Sequence, residues 1–190
     1  MYKMEDLLYL MTRLRDPKHG CPWDLKQSFE SIVPHTLEEA YEVADAISRG
    51  DRTDIKDELG DLLFQVIFYA QLAKEEQSFV FEDVVDGIVQ KLVRRHPHVF
   101  PEGQLRQHFP EGTTFSDDQI KAQWETIKQE ERRLKNQLNA RGINVDESAP
   151  KFQAEKDSIL KDVPRNLPVL NRAEKLQKRA ALHGFDWPEI

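Results

Sequence analysis

The sequence predicts an all-α fold, an antiparallel helix bundle, and three observations support this prediction. Apolar residues recur at the three- and four-residue intervals of a helix through the first hundred positions. Ten of the twelve residues at 62–73 are apolar, which is typical of a helix in the middle of a bundle. No segment has the alternating pattern and turn residues of a β-hairpin. We therefore expect packed helices and no sheet.

The first two predicted helices are separated by "DPKHGCPWD", whose prolines and glycine end the first one. We expect the second helix to follow Pro34, with Thr36 and Glu39 as a capping box and Gly50 at its end. The apolar residues of the first helix are Leu7, Leu8, Leu10, Met11 and Leu14. The predicted apolar stripe of the second is Leu37, Ala40, Tyr41, Ala44 and Ile47.

Two further helices complete the predicted bundle, and two more follow it. The third begins near Thr53 and runs to about Glu76. The fourth covers residues 81–96, where Pro97 stops it. A charged helix is expected over 117–141, with Ser116 and Gln119 as its capping box, and a last helix over about 170–182.

These elements predict three regions along the chain. Residues 1–141 form one helical domain. Residues 142–168 hold three prolines without clear periodicity, which indicates a linker. Residues 169–190 are expected to be a helix and the start of a truncated second repeat, because "HGFDW" at 183–187 resembles "HGCPW" at 19–23. The carboxylates of that second copy would lie beyond Ile190.

Composition and charge exclude several classes of protein. A formal net charge of −7 argues against nucleic-acid binding, which needs a clustered positive surface. The longest apolar run, 62–73, is too short to span a membrane. The N-terminus has acidic residues where a secretion signal needs basic ones, and the single cysteine, Cys21, fits a reducing compartment. We therefore predict a cytoplasmic protein.

Four carboxylates occupy matching positions on the second and third predicted helices. Glu39 and Glu42 share one helix face, Glu58 and Asp61 share another, and Gln65 extends the second stripe. If the helices face each other, like charges about 5 Å apart repel by roughly 3 kcal/mol. A cation removes that repulsion, and oxygen ligands without Cys or His favour Mg²⁺, with Mn²⁺ as a substitute. Because Mg²⁺ usually shares its ligands with phosphates, the pattern indicates phosphate chemistry.

Cations for such phosphates are present at the end of the fourth predicted helix. Lys91 and Arg95 are four residues apart on one face, and Arg94 flanks them. Arginine binds phosphate oxygens as a bidentate fork and lysine as a point charge.

Each of these groups also has a simpler interpretation. Glu39 could only cap its helix, and Glu58 and Asp61 could be acidic residues favoured near a helix start. The basic residues lie near a helix end, where cations are favoured in any case. Five further side chains are interpreted first as packing, capping or structural groups: Cys21, Trp23, His96, His98 and Trp124.

Five segments in order resemble the MazG family of nucleoside triphosphate pyrophosphohydrolases: "GCPWD", "LEEAYE", "DELGDLLFQVIFYAQLA", "KLVRRHPHVF" and "WETIKQEER". The resemblance covers roughly residues 1–135. The metal motif of that family is E-E-x-x-E, a spacer and E-x-x-D. Here it is matched by Glu38, Glu39, Glu42, Glu58 and Asp61.

The resemblance implies an all-α homodimer in which helices of both subunits complete the bundle. It implies Mg²⁺-dependent cleavage of nucleoside triphosphates between the α- and β-phosphorus, giving the monophosphate and pyrophosphate. Glu38 would orient water or support the ligands. The implied metal ligands are Glu39, Glu42, Glu58 and Asp61.

The resemblance also implies the substrate contacts. Lys91 and Arg95, with Arg94, would clamp the triphosphate, and Trp124 would contact the base. Two alternatives stay open. One is a catalytically weak dimerisation or regulatory module that binds nucleotide without efficient turnover. The other is a metal-dependent hydrolase of a different diphosphate bond.

Overall fold

The computed structural model describes residues 1–140, 160, 163–164, 167–181 and 184. These residues confirm the all-α prediction, since they contain helices and turns but no strand. None of the helices among them is long and apolar enough to cross a membrane. The α-helices are α1 Met4–Leu14, α2 Phe29–Arg49, α3 Arg52–Glu75, α4 Phe81–Arg95, α5 Asp117–Ala140 and α6 Val169–Ala181.

The chain divides into two compact units, Met1–Glu130 and Glu131–Ile190. The first holds α1 to α4 and the beginning of α5, and the second holds the end of α5 and α6. Most of the predicted linker at 142–168 and the repeat at 183–187 lie outside the described residues. The predicted domain boundaries therefore stay predictions.

The core of the first unit lies where α1, α2 and α3 meet, with the start of α4 beside it. α2 packs most extensively against α3. The buried cluster consists of Met11, Ile32, Ile67, Phe68 and Leu72. Burying such side chains contributes about 1.5–3 kcal/mol each, so this cluster helps to hold α1, α2 and α3 together.

The start of α2 differs from the prediction. Ser28 caps the helix: its Oγ accepts from the Ser31 N–H at 3.3 Å, and the Ser31 Oγ accepts from the Ser28 N–H at 2.9 Å. Pro34 therefore lies inside the helix, and Thr36 is an interior residue rather than a cap. The longer helix loses one backbone hydrogen bond at Pro34 but buries Ile32, which is 1% exposed.

The predicted apolar stripe of α2 does not face the core of this unit. Leu37, Tyr41 and Ile47 are 46%, 59% and 59% exposed. The face of α2 that packs on α3 carries instead Ile32, Thr36, Glu39, Val43 and Ala46. α2 is therefore apolar on two sides, and only one of them is covered within this chain.

Arg15 fastens the segment after α1 to the end of α3. Its Nε and Nη2 donate to the Glu75 carboxylate at 2.8 and 2.6 Å, and its Nη1 donates to the backbone carbonyl of Asp24. The guanidinium also lies 5.4 Å from the centre of the Phe68 ring. A buried arginine needs such partners because an unpaired charge there is costly.

Candidate metal centre

Three of the four predicted carboxylates come together between α2 and α3. Glu39 on α2 and Glu58 and Asp61 on α3 each offer one oxygen, and these oxygens lie within 4.8 Å of one another. Glu39 and Glu58 are partly buried, whereas Asp61 is exposed. The group therefore opens to solvent on one side and meets the packed helices on the other.

The turn between α2 and α3 brings the two helices together. Gly50 ends α2 at φ 74°, a left-handed conformation that glycine adopts without strain. Asp51 then caps α3, because its Oδ1 accepts from the N–H groups of Thr53 at 2.9 Å and Asp54 at 3.2 Å. The two helices consequently run antiparallel, and residues of the middle of α2 lie opposite the first half of α3.

The electrostatics of the group follow from burial and like charge. Burial is the largest cause of the raised pKa of Glu39, followed by the Asp61 charge and a hydrogen bond with Glu42. Burial likewise raises the pKa of Glu58, followed by the charges of Glu42 and Asp61. Both carboxyl groups would ionise more readily beside a bound cation.

Glu42 and Glu38 occupy different positions from the three-carboxylate group. Glu42 is exposed and borders the group closely enough to raise the pKa values of Glu39 and Glu58. The Glu38 carboxylate lies 3.8 Å from the His35 ring nitrogen and is largely exposed. No sequence motif indicates His35, and only the helical spacing of three residues relates it to Glu38.

The oxygen donors of the group suit a hard divalent cation. Glu39, Glu58 and Asp61 provide carboxylate oxygens alone, the ligand type that Mg²⁺ and Mn²⁺ prefer. Three protein ligands leave coordination positions for water and phosphate oxygens. Glu42, which borders the group, would supply a further carboxylate.

The predicted phosphate-binding residues are all on α4. Lys91 and Arg94 are exposed, Arg95 is partly buried, and the two arginines belong to the last turn of the helix. None of the three belongs to the carboxylate group.

Trp124 on α5 is 38% exposed, and its ring makes two contacts. The His96 ring lies edge-on to it with 5.7 Å between ring centres, and the Lys128 ammonium lies 4.9 Å from the ring centre. His96 itself is held to the end of α4, with Nδ1 2.6 Å from the Leu92 carbonyl oxygen. Trp23, in contrast to its interpretation as a core anchor, is 51% exposed.

A comparison with known protein families identifies this arrangement. The family model described as "MazG nucleotide pyrophosphohydrolase domain" matches residues 27–100, which include all three converging carboxylates. Residues 27–100 belong to the MazG domain family. The match begins just before α2 and ends after α4, so the MazG region contains the helix pair that carries the acidic group.

Two curated relatives and one solved structure resemble this chain. The nucleoside triphosphate pyrophosphohydrolase of Escherichia coli K12 is 48% identical over all 190 residues, which cover 62% of that protein. The nucleoside triphosphate pyrophosphohydrolase/pyrophosphatase MazG of Thermotoga maritima is 36% identical over 185 residues. The matched region covers 97% of this chain and 59% of that protein. The chain therefore spans about three fifths of the length of these relatives.

The solved structure supports the fold assignment. The crystal structure of a mazG-related protein from Thermotoga maritima superposes with a TM-score of 0.53 and 27% sequence identity. The superposition covers 66% of this chain and 99% of that one.

Proposed function

We propose that this chain is a metal-dependent nucleoside triphosphate pyrophosphohydrolase that removes unwanted nucleotides from the pool in the cytoplasm. The observation that supports the proposal most directly is the convergence of three carboxylate oxygens within 4.8 Å between α2 and α3. Two relatives of this chain carry the name of that activity. The reaction would give a nucleoside monophosphate and pyrophosphate.

In this proposal Glu39, Glu58 and Asp61, with Glu42 at their border, hold Mg²⁺ or Mn²⁺. A cation held by these residues would polarise phosphate oxygens and would make a bound water more acidic. Glu38, which is exposed and directly precedes Glu39 on α2, would orient the attacking water or support the ligands. The chain would supply the oxygen ligands, and the packing of α2 on α3 would fix their geometry.

The positive charge for the triphosphate comes from α4 in this proposal. Lys91 and Arg95, with Arg94, would bind the phosphates and offset charge on the departing pyrophosphate. Trp124 would stack on the base, and its contact with His96 joins it to the end of α4. The phosphate contacts on α4 and the base contact on α5 would thus be joined through His96.

We further propose that the chain forms a homodimer through the uncovered apolar face of α2. Leu37, Tyr41 and Ile47 are each about half exposed or more on this face. On α3, Leu59 and Val66 are 49% and 38% exposed. A second copy is the occupant that suits both helices, because a bundle completed by dimerisation covers both apolar faces.

An isotope experiment tests the proposed reaction. The chain is incubated with several nucleoside triphosphates and Mg²⁺ in ¹⁸O-labelled water, and the products are separated by chromatography. We expect pyrophosphate and ¹⁸O-labelled monophosphate, because water attacks the α-phosphorus; EDTA serves as the control. Label in pyrophosphate, or release of orthophosphate, would identify a different bond. Nucleotide binding without turnover would identify the regulatory module instead.

A further inference from the structure

Gln65 is a buried polar residue between the carboxylate group and the apolar core. It lies on α3 one turn after Asp61, faces α2 and is 7% exposed. Its Nε2 donates to Glu39 Oε1 at 3.4 Å, and its Oε1 has no hydrogen-bond partner among the described residues. A half-satisfied buried amide is costly, so a residue that only fills space would be apolar here.

The neighbouring polar pair, Thr36 and Tyr69, does not explain why an amide is buried at position 65. The next layer between the two helices is a contact of 2.9 Å between Thr36 Oγ1 and the Tyr69 hydroxyl. Thr36 Oγ1 donates to the Ile32 carbonyl at 3.1 Å, so the Tyr69 hydroxyl is the donor to Thr36. This pair is therefore satisfied by itself. Among the residues that the structure describes, Glu39 is the one carboxylate to which Gln65 donates.

The amide orientation also points to Glu39. The reverse orientation would set the Gln65 carbonyl oxygen against the Glu39 carboxylate, and the two would repel when Glu39 is ionised. With the N–H side towards Glu39, the contact of 3.4 Å between Gln65 Nε2 and Glu39 Oε1 restricts the rotation of the Glu39 carboxylate. The remaining lone pairs of that carboxylate stay available for a cation.

We propose that Gln65 is a positioning residue that holds Glu39 in the orientation needed for metal binding. The inference rests on the proposed function, since it assumes that the carboxylate group binds a divalent cation. Gln65 does not ligate the metal and does not touch the substrate. It acts through Glu39, as groups that orient ligands do in other metal sites.

Replacement of Gln65 by methionine tests this role, because methionine has a similar length and volume but no amide. We expect Gln65→Met to raise the Mn²⁺ dissociation constant, measured by electron paramagnetic resonance on the full chain, by about 10-fold. The thermal midpoint without metal should stay equal or rise, since the unpaired carbonyl is removed. A merely structural residue would show the opposite: a lower midpoint and unchanged metal affinity.

Two further variants make the test decisive. Gln65→Asn keeps an amide but is one methylene shorter, so it should also lose the contact with Glu39 and raise the dissociation constant. Gln71→Met is the control, because Gln71 lies on the same helix and donates to Glu75 at 2.9 Å, away from the carboxylate group. Its Mn²⁺ affinity should stay within two-fold of the parent.

The results separate this inference from the function on which it rests. One outcome is that the parent binds Mn²⁺ while both Gln65 variants have dissociation constants within two-fold of the parent's value. In that case the positioning role is wrong and the metal site stands. If both variants fail to fold, Gln65 is a structural requirement, which also overturns the inference. If the parent itself binds no Mn²⁺, the proposed metal site and the role of Gln65 fall together.

Discussion

Glu39 and Glu58 bind their protons more tightly than ordinary glutamates, and burial is the first cause for both. A raised pKa in the folded state means that the folded protein holds these protons to a higher pH than the unfolded chain does. The free energy of unfolding therefore falls as pH rises through that range. At neutral pH and without metal, the two ionised groups destabilise the fold.

The pH dependence of stability should change when Glu39 loses its charge. We expect Glu39→Gln to raise the metal-free thermal midpoint at pH 7, and the gain to shrink as pH is lowered towards 4.5. Thermal unfolding in EDTA across this pH range measures it. Glu30→Gln is the control: its carboxylate accepts hydrogen bonds from its own backbone N–H and from the Ser28 hydroxyl, which lower the pKa of Glu30, so the substitution should give no gain at pH 7. A constant gain for Glu39→Gln at all pH values would contradict the explanation.

Asp61 offers an oxygen to the group and is its most exposed member. We expect Asp61→Ala to reduce Mg²⁺-dependent turnover about 100-fold or more. Loss of a group that only orients a metal ligand already lowers metal affinity or activity about 10–100-fold. The metal-free fold should be retained or become more stable, since one like charge is removed. Asp86→Ala, which alters an exposed carboxylate on α4, is the matched control. Retained turnover in Asp61→Ala would exclude the proposed site.

At the scale of the helices, Arg15 joins α3 to the segment that follows α1. Burial pushes the pKa of Glu75 up, but hydrogen bonds from Arg15 and Gln71 outweigh it and leave the pKa lowered. Glu75 consequently contributes stability while ionised, and this contribution is lost as pH falls through its lowered pKa. The contact therefore holds the C-terminal end of α3 against the segment that follows α1.

Removal of Arg15 should destabilise this unit. We expect Arg15→Met to lower the free energy of unfolding by about 2–3 kcal/mol, less than for a fully buried pair because the Glu75 side chain is 36% exposed. Urea unfolding measures the change. Arg13→Met, at an exposed position two residues earlier on α1, should stay within about 0.5 kcal/mol. Equal effects of the two substitutions would show that the contact with Glu75 contributes little.

The helix boundaries show how far local signals suffice. The predicted third helix, from near Thr53 to Glu76, agrees with α3 within a residue at each end, and Ser116 and Gln119 form the predicted capping box. These signals involve neighbours in sequence. α2, in contrast, begins five residues before Pro34, because burial of Ile32 against other helices outweighs the lost backbone bond.

At the scale of the whole molecule, the chain leaves apolar surface on several helices uncovered. Besides Leu37, Tyr41 and Ile47 on α2, four residues of α4 are 37–44% exposed: Val84, Val85, Ile88 and Leu92. Single exposed apolar residues are ordinary, but a set on packed helices indicates an interaction surface.

A charge placed on this surface should separate the proposed dimer. We expect the parent to sediment as a dimer and Tyr41→Glu as a monomer, because a buried unpaired carboxylate is costly. Tyr9→Glu is the control, since Tyr9 is similarly exposed, at 65%, but lies on α1. Equilibrium sedimentation decides: a monomeric parent, or a dimeric Tyr41→Glu variant, would contradict the proposed interface.

The sequence by itself determined the helical class, the approximate positions of the helices and the pairing of acidic residues on the second and third helices. Each of these depends on the spacing of apolar or acidic residues within one segment, and that spacing is visible in the sequence. Only the tertiary structure decided which face of α2 is buried, that Glu39, Glu58 and Asp61 converge while Glu38 turns to His35, and that Gln65 donates to Glu39. Those outcomes depend on which residues of distant segments meet. A helix with two apolar sides can bury either one until the packing of its neighbours selects between them.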